Sequence, residues 1–281
     1  MTTGKQNIQS TRLLGSSAWI GALSALLVAA TFLLSMPAAA QLVTGGAAPT
    51  ADPLDAPVIQ EGWDADVRHP PSLDTWSGTA ITADARSSFG GAIYAWSGDK
   101  TRDGLRIRIE GGTSTYVYET TRTTGVELRQ GKAIFASVML GYQWSHDAWT
   151  VKGFLGPAYA SHEITPVDLD NDLVGERWGA RLSVDVWRNM PYDGFFSLNA
   201  DLASPFASYA AGARYGVKVI DDLWLGLAAG LYGNRELDAA RVGGFLRWRT
   251  PYGTLWAEGG VGGDYADLNA PYATVTLARE F

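Results

Sequence analysis

RWGARLSVDVW, residues 177–187, places Trp178, Ala180, Leu182, Val184 and Val186 on one parity and Arg177, Gly179, Arg181, Ser183 and Asp185 on the other. Successive side chains of a strand point to opposite faces, so this stretch predicts a β-strand with one apolar and one polar side. The same period of two runs outward from it in both directions. Leu105, Ile107 and Ile109 alternate with Arg106, Arg108 and Glu110, and Phe196, Leu198, Ala200 and Leu202 alternate with Ser197, Asn199 and Asp201. Leu223, Leu225, Leu227, Ala229 and Leu231 mark one face of a further strand. A soluble sandwich also alternates, so the turns and the aromatic residues have to decide between the two.

The periodic segments fall at 77–86, 88–97, 104–118, 131–145, 148–162, 176–189, 194–203, 208–219, 223–234, 239–249, 254–265 and 272–281. The fold expected is all-β: a transmembrane, antiparallel up-and-down β-barrel of about 12 strands (10–12), even in number as single-chain bacterial barrels are. With the first strand starting in the periplasm, the short links His146-Asp147, Met190 to Asp193, Ile220 to Asp222 and Thr250 to Gly253 are periplasmic turns. The longer links, about 119–130 and 163–175, then lie outside. Aromatic residues flank those short turns: Trp144 and Trp149, Trp187 and Tyr192, Trp224, and Trp248 and Tyr252. Amphipathic rings suit the headgroup level, which predicts a periplasmic girdle.

The segment before the strands reads differently. Lys5 and Arg12 precede an apolar run from Ala18 to Leu34, and Pro37-Ala38-Ala39-Ala40 supplies small residues for cleavage, so residues 1–40 are expected to be a signal peptide. The run of about 17 apolar residues sits at the bottom of the range for a membrane helix. Residues 41–75, with Pro49, Pro53, Pro57, Pro70 and Pro71, are expected to form a flexible periplasmic spacer, with a plug folded into the barrel as the alternative. Residues 76–281 are then the barrel domain.

Composition agrees with a barrel of the Gram-negative outer membrane. The chain carries 33 Gly, 11 Trp and 12 Tyr, and Gly is a poor helix former whereas aromatic residues favour strands. There is no Cys, which excludes disulfides and thiolate metal sites. The net charge of −7 moves to about −9 without the two basic residues of the leader, which argues against nucleic acid as a partner.

Apolar faces turned to lipid force the charges inward, because Arg or Lys at the bilayer midplane costs roughly 2–4 kcal/mol. The lumen-facing candidates are Arg106, Arg108, Glu110, Arg177, Arg181, Asp185, Arg214, Lys218, Arg241, Arg247, Arg249 and Glu258. They describe either a water-filled, Arg-rich conduit or an ion-paired filling. On this reasoning Leu182 and Leu198 should refuse Arg, while Arg181→Gln and Asn199→Asp should be tolerated.

Catalytic constellations are thin. The histidines are His69, His146 and His162. His162 adjoins Ser161 and Glu163, but strand neighbours face opposite ways, so no Ser-His pair forms among them. Asp168, Asp170 and Asp172 in DLDND lack the Gly and the distant Glu of a calcium loop, and read as a solvated acidic loop. No catalytic residue, metal or cofactor is expected.

Several strings carry a resemblance: LGYQW at Leu140 to Trp144, GPAY at Gly156 to Tyr159, RWGARLSVDVW at Arg177 to Trp187, and SYAAGARYG at Ser208 to Gly216. GLYGNRELDAARVGGFLRW, Gly230 to Trp248, and the PYATVTLAREF ending, Pro271 to Phe281, continue it. Taken in order they resemble the cellulose biosynthesis protein BcsS family of alphaproteobacterial outer-membrane proteins. The resemblance implies a non-enzymatic part in making or exporting cellulose, as a scaffold or a glucan conduit, with cellulose and other secretion proteins as partners. Phe281, with Leu277 and Val275 on its parity, resembles the terminal signal read by the barrel-assembly machinery, although Arg279 departs from the usual apolar pattern. Outer-membrane lipid is the other expected partner. A general porin and an outer-membrane lipid-modifying enzyme are the rival readings; the missing nucleophile–base pair speaks against the second.

Overall fold

A computed structural model describes residues 72–281 apart from 123, 124, 169, 170 and 266. The proposed leader and most of the proposed spacer, with His69, lie outside the described residues. Twelve strands follow one another: β1 Leu73–Thr82, β2 Ala85–Ala95, β3 Gly104–Arg122, β4 Gly125–His146, β5 Trp149–Thr165, β6 Gly175–Met190, β7 Gly194–Ala203, β8 Ser208–Ile220, β9 Leu223–Gly233, β10 Asp238–Thr250, β11 Gly253–Asp264 and β12 Asp267–Glu280. Each pairs antiparallel with its neighbours in sequence, and β1 pairs with β12, so the sheet closes on itself. The seam runs from Asp74 opposite Glu280 to Thr82 opposite Tyr272. Beyond it the Leu73 amide donates to Phe281 O at 2.9 Å and the Phe281 amide to Leu73 O at 2.8 Å.

The expected count of twelve and the inward–outward parity of every quoted strand agree with this architecture, and β7 has the expected bounds. Other boundaries shift. β1 and β2 start three or four residues earlier than expected, and β12 starts at Asp267 rather than 272. The larger correction concerns 119–130, expected as a long outer link: β3 and β4 pair along it, with Glu119 opposite Leu128 and Val117 opposite Gln130. That stretch is polar and Thr-rich, so it carries no apolar period, but Thr and Val are good strand formers and a paired ribbon satisfies their backbone. The link expected at 163–175 contracts to 166–174.

For convenience, the end carrying Leu73 and Phe281 is the base and the opposite end the rim. Base turns are tight, and Asp147, Tyr192, Asp193 and Asp222 hold the left-handed backbone such turns demand, with φ of 51–61°. A spanning strand needs about 9–11 residues, which β1, β7 and β9 match at 10, 10 and 11. β4, with 22 residues, overshoots. The β3–β4 ribbon therefore stands well above the rim of the neighbouring strands.

The core lies inside the barrel. One buried cluster joins Trp76, Phe89, Ile93, Met139 and Phe154; a second joins Trp187, Phe195, Trp224, Phe245 and Trp256. Outward faces are the exposed apolar rows, among them Leu140, Leu155, Leu182, Leu227 and Leu277. Inward rings have a recurrent partner. Trp76 faces Gly91 and Phe89 faces Gly78 across the β1–β2 pair. Tyr116 faces Gly131, Phe154 faces Gly141 and Phe195 faces Gly216. At each of these glycines an added Cβ would collide with the facing ring. The ring lies over its neighbour's bare backbone, which gives these five of the chain's 33 glycines a packing role.

Two substitutions test this packing. Gly216→Val would drive a side chain into Phe195 and Phe245 and should cost about 1–3 kcal/mol. Less protein should then run as the fast-migrating folded band in unheated detergent gels, and conversion on heating should come earlier. Gly244→Ala, on the outward face with Gly226 O as its one near neighbour at 3.5 Å, should leave both unchanged.

Candidate functional site: the barrel interior

At the base, the β2–β3 link folds under the lumen. Lys100 pairs with Asp74 at 2.9 Å and with Glu280. Arg106 donates to the Lys100 and Arg102 carbonyls at 3.1 and 2.5 Å, and Gln143 Nε2 donates to Lys100 O at 2.8 Å. Within the link, burial raises the Asp99 carboxyl's pKa, but the Thr101 hydroxyl and amide, with Arg102 and Arg106, outweigh it and hold the group below its ordinary value.

Above this, an ionic layer crosses the lumen. Arg108 of β3 donates through Nε to Glu110 at 2.8 Å, and through Nη1 to Ser183 and Asp185 of β6 at 3.1 and 3.2 Å. Its guanidinium also lies 5.4 Å from the Trp76 ring and 5.5 Å from that of Phe154. Glu110 accepts from Ser137 at 3.2 Å and pairs with Arg181. Arg181 in turn donates to Asp201 Oδ1 from Nε and Nη2 at 3.0 and 2.9 Å. On the other side Glu258 takes Arg214 at 2.9 Å, the Tyr272 hydroxyl at 3.0 Å and Arg241 at 3.6 Å. Buried charges need this density of partners, since an isolated one would be prohibitively costly.

A third group is aromatic. Arg247 sits over Trp187, Phe195, Trp224 and Trp256 at 4.6–5.6 Å, and Trp187 stacks on Phe195 with centroids 4.4 Å apart. Each such cation–ring contact contributes on the order of 0.5–2 kcal/mol.

The rim is covered from two sides. Phe206, in the turn Pro205–Ala207, has φ of 53° and turns a buried ring onto His162 at 4.7 Å, with Arg177 over it at 5.0 Å. The β5–β6 link crosses the mouth: Tyr118 donates to Asp168 at 3.0 Å, Arg129 donates to the Pro166 and Val167 carbonyls, and the Asp172 amide donates to Glu236 at 3.1 Å. Burial, with the Asp172 and Asp168 carboxylates close by, raises the pKa of Glu236.

Of the candidates named from the sequence, Arg106, Arg108, Glu110, Arg181, Asp185, Arg214, Arg241, Arg247 and Glu258 are buried in this interior. Arg177 shares their parity but stands exposed at the rim. Lys218 and Arg249 are half-buried at the base, Lys218 pairing with Asp193 at 3.2 Å and Arg249 lying 5.5 Å from the Trp224 ring. Among the expected girdle, Trp144, Trp149, Tyr192, Trp248 and Tyr252 are exposed. Trp187 and Trp224 are not girdle residues: they are 2% and 6% exposed and pack inside around Arg247. Parity could have shown this, because Trp187 shares the odd positions of Arg181 and Asp185, and Trp224 falls between Leu223 and Leu225. Proximity to a turn misled. The expected tolerance of Arg181→Gln and Asn199→Asp does not follow either, since both side chains are buried and Arg181 ties two carboxylates. Asp201, Lys152 and the rings of Trp76, Phe154, Phe195 and Phe245 are also buried inside, though none is among the lumen candidates named from the sequence. His162 Nδ1 meets the Tyr116 hydroxyl at 3.3 Å, and the inward ring leaves Ser161 and Glu163 on the opposite face.

Strand closure, lipid-facing apolar rows and a packed polar lumen define a transmembrane β-barrel of the up-and-down class. The cellulose biosynthesis protein BcsS family matches residues 75–281, and the chain belongs to that family. Among solved structures it is similar to the KdgM porin, with 10% identity and a TM-score of 0.43 over 74% of this chain and 99% of that one. The translocator domain of the autotransporter NalP from Neisseria meningitidis gives 14% identity and 0.45 over 77% and 89%. The transport unit of AIDA-I from Escherichia coli gives 12% and 0.42 over 82% and 95%. These likenesses extend to the barrel fold alone. No curated protein matches the sequence.

Glu110→Ala would leave Arg108 and Arg181 short of a buried counter-charge and should cost about 3–5 kcal/mol. Adding Arg181→Met should recover part of that loss. A double-mutant cycle on the temperature at which the folded band converts would read both effects.

Proposed function

We propose that this protein is a non-catalytic outer-membrane component of cellulose biosynthesis that serves as a closed scaffold where glucan leaves the cell, not as an open channel. One observation carries the closed reading. Every strand contributes inward side chains under 10% exposed, from Trp76 on β1 to Thr276 on β12, and ion pairs cross the lumen between non-adjacent strands. Eight strands leave an interior that side chains just fill, whereas porins of 16–18 strands hold a water channel. Here twelve strands are filled by Arg, Trp, Phe and Tyr. Family membership supports the cellulose role, and the engagement of His162 with Tyr116 and Phe206 supports the non-catalytic one. The apolar belt favours lipid, the base faces the periplasm on this reading, and residues 1–40 act as a cleaved export signal. The barrel-assembly machinery and other cellulose-secretion proteins are its proposed partners.

Deleting the gene in a cellulose-producing host should lower secreted cellulose while synthase activity in inner-membrane vesicles persists. The purified barrel should show no steady conductance in planar bilayers. An undiminished cellulose yield would sink the assignment, and porin-sized steady currents would put the general porin ahead.

A further inference from the structure

A cation on the lipid-facing side of a barrel is costly at mid-membrane and nearly free beside the headgroups, so each one kept there marks a level. Among the described residues, the strand cations of outward parity are Arg86, Lys132, Arg188 and Arg279. The last two lie at the base, with their guanidinium groups over the Trp149 and Phe281 rings at 4.9 and 4.7 Å. Arg86 and Lys132 stand towards the rim. Both are exposed, and neither side chain has a hydrogen-bond or ion-pair partner among the described residues.

Register brings these two to one spot. Arg86 on β2 lies opposite Thr115 on β3, and Thr115 lies opposite Lys132 on β4. All three are exposed on the outward face. Neighbouring strands are about 4.8 Å apart, so the two cations start roughly 10 Å apart with a hydroxyl between them, within reach of a single tetrahedral anion. Depth follows from β4. Tyr142, Leu140, Val138, Ala136 and Ile134 precede Lys132 on the outward face, and residues 134–142 cover the roughly 9–11 that a tilted strand needs to span. Exposed Trp144 ends this row at the base. Towards the rim Tyr159, opposite Ala136, packs on Trp178 with centroids 4.8 Å apart. Lys132 therefore stands where the hydrocarbon ends, at the headgroups of the rim-side leaflet.

We propose that Arg86, Thr115 and Lys132 hold a phosphate of a phosphorylated glycolipid in the outer leaflet. The inference rests on the reading above that the base faces the periplasm, and it gives the lipid partner a headgroup chemistry. The Arg86 fork takes two phosphate oxygens, Lys132 adds a point charge and the Thr115 hydroxyl donates between them. A neutral sugar headgroup would leave both charges uncompensated, and a zwitterionic one would bring a further cation beside them. Asp84, in the turn before β2, and Glu163, opposite Lys132 on β5, flank the pair, but neither forms an ion pair with it.

The test uses the whole mature barrel in a zwitterionic detergent with divalent ions chelated, and counts bound lipid by native mass spectrometry. Bis-phosphorylated lipid A should stay bound, and the same lipid without its phosphates should bind at least tenfold more weakly. Arg86→Gln and Lys132→Gln should each weaken lipid A binding about fivefold, and together more. Arg235→Gln, which removes an exposed cation of the β9–β10 turn, should change nothing, and Glu163→Gln, which removes a neighbouring carboxylate, should tighten binding. Heat-modifiable migration checks that each variant is folded. Equal binding of the two lipid forms, equal binding by the wild type and the Arg86→Gln, Lys132→Gln double variant, or looser binding by Glu163→Gln overturns the site. Phosphatidylglycerol or inorganic phosphate competing as well as lipid A overturns the outer-leaflet source. Orientation is read separately. The chain has no cysteine, so Glu119→Cys in the β3–β4 ribbon should react with an impermeant maleimide on intact cells. Absence of label faults the orientation, whereas a labelled barrel that binds no lipid A faults the site alone.

Discussion

A ring on one strand lying across a glycine on the next is the contact on which this barrel depends. Twelve strands enclose more space than small side chains can fill, and the chain fills it with Trp, Phe, Tyr and Arg. Rings of that size cannot stand upright from every inward position without colliding. At Trp76 and Gly91, Tyr116 and Gly131, or Phe195 and Gly216, the missing Cβ lets the ring tilt over its neighbour and reach its cluster. The glycines are therefore part of the core although they add no apolar surface of their own.

The ionic layer follows from the same geometry. With rings packed on both flanks, the guanidinium groups of Arg108, Arg181 and Arg214 have little water to turn to and find carboxylates on strands three positions away. Such pairs add modestly to net stability, because desolvation offsets most of their attraction. Their effect is specificity: shifting one strand by a single residue would carry its charges to the lipid side and leave partners alone inside. Register and charge pairing thus enforce each other.

Much of this was legible beforehand. Period two in 177–187 and its relatives identifies strands and faces, because lipid on one side and charge on the other leave little freedom. Strand limits were legible where an apolar row stops at a tight turn, as at Gly194–Ala203. They were obscured at 119–130, where the ribbon stands beyond the membrane and its outward row mixes Val117 and Leu128 with Glu119 and Gln130. Trp187 and Trp224 lie near turns, as interface rings do, but their parity is that of the inward residues. The seating of Phe206 on His162 could not be read from sequence, since it depends on where the Pro205–Ala207 turn comes to rest.

The seam between β1 and β12 has a kinetic meaning. Eleven other strand pairs join segments close in the chain, and each can zip as a hairpin as soon as both halves exist. The seam alone joins residues some two hundred positions apart, as Thr75 and Arg279 are. Loop closure on that scale is slow to find, because its entropy loss comes before any reward. Until it forms, the chain is an open curved sheet with two unsatisfied edges, each a template for the wrong partner. The final strand acts as a clasp, and a polypeptide stopped short of it would keep both edges bare.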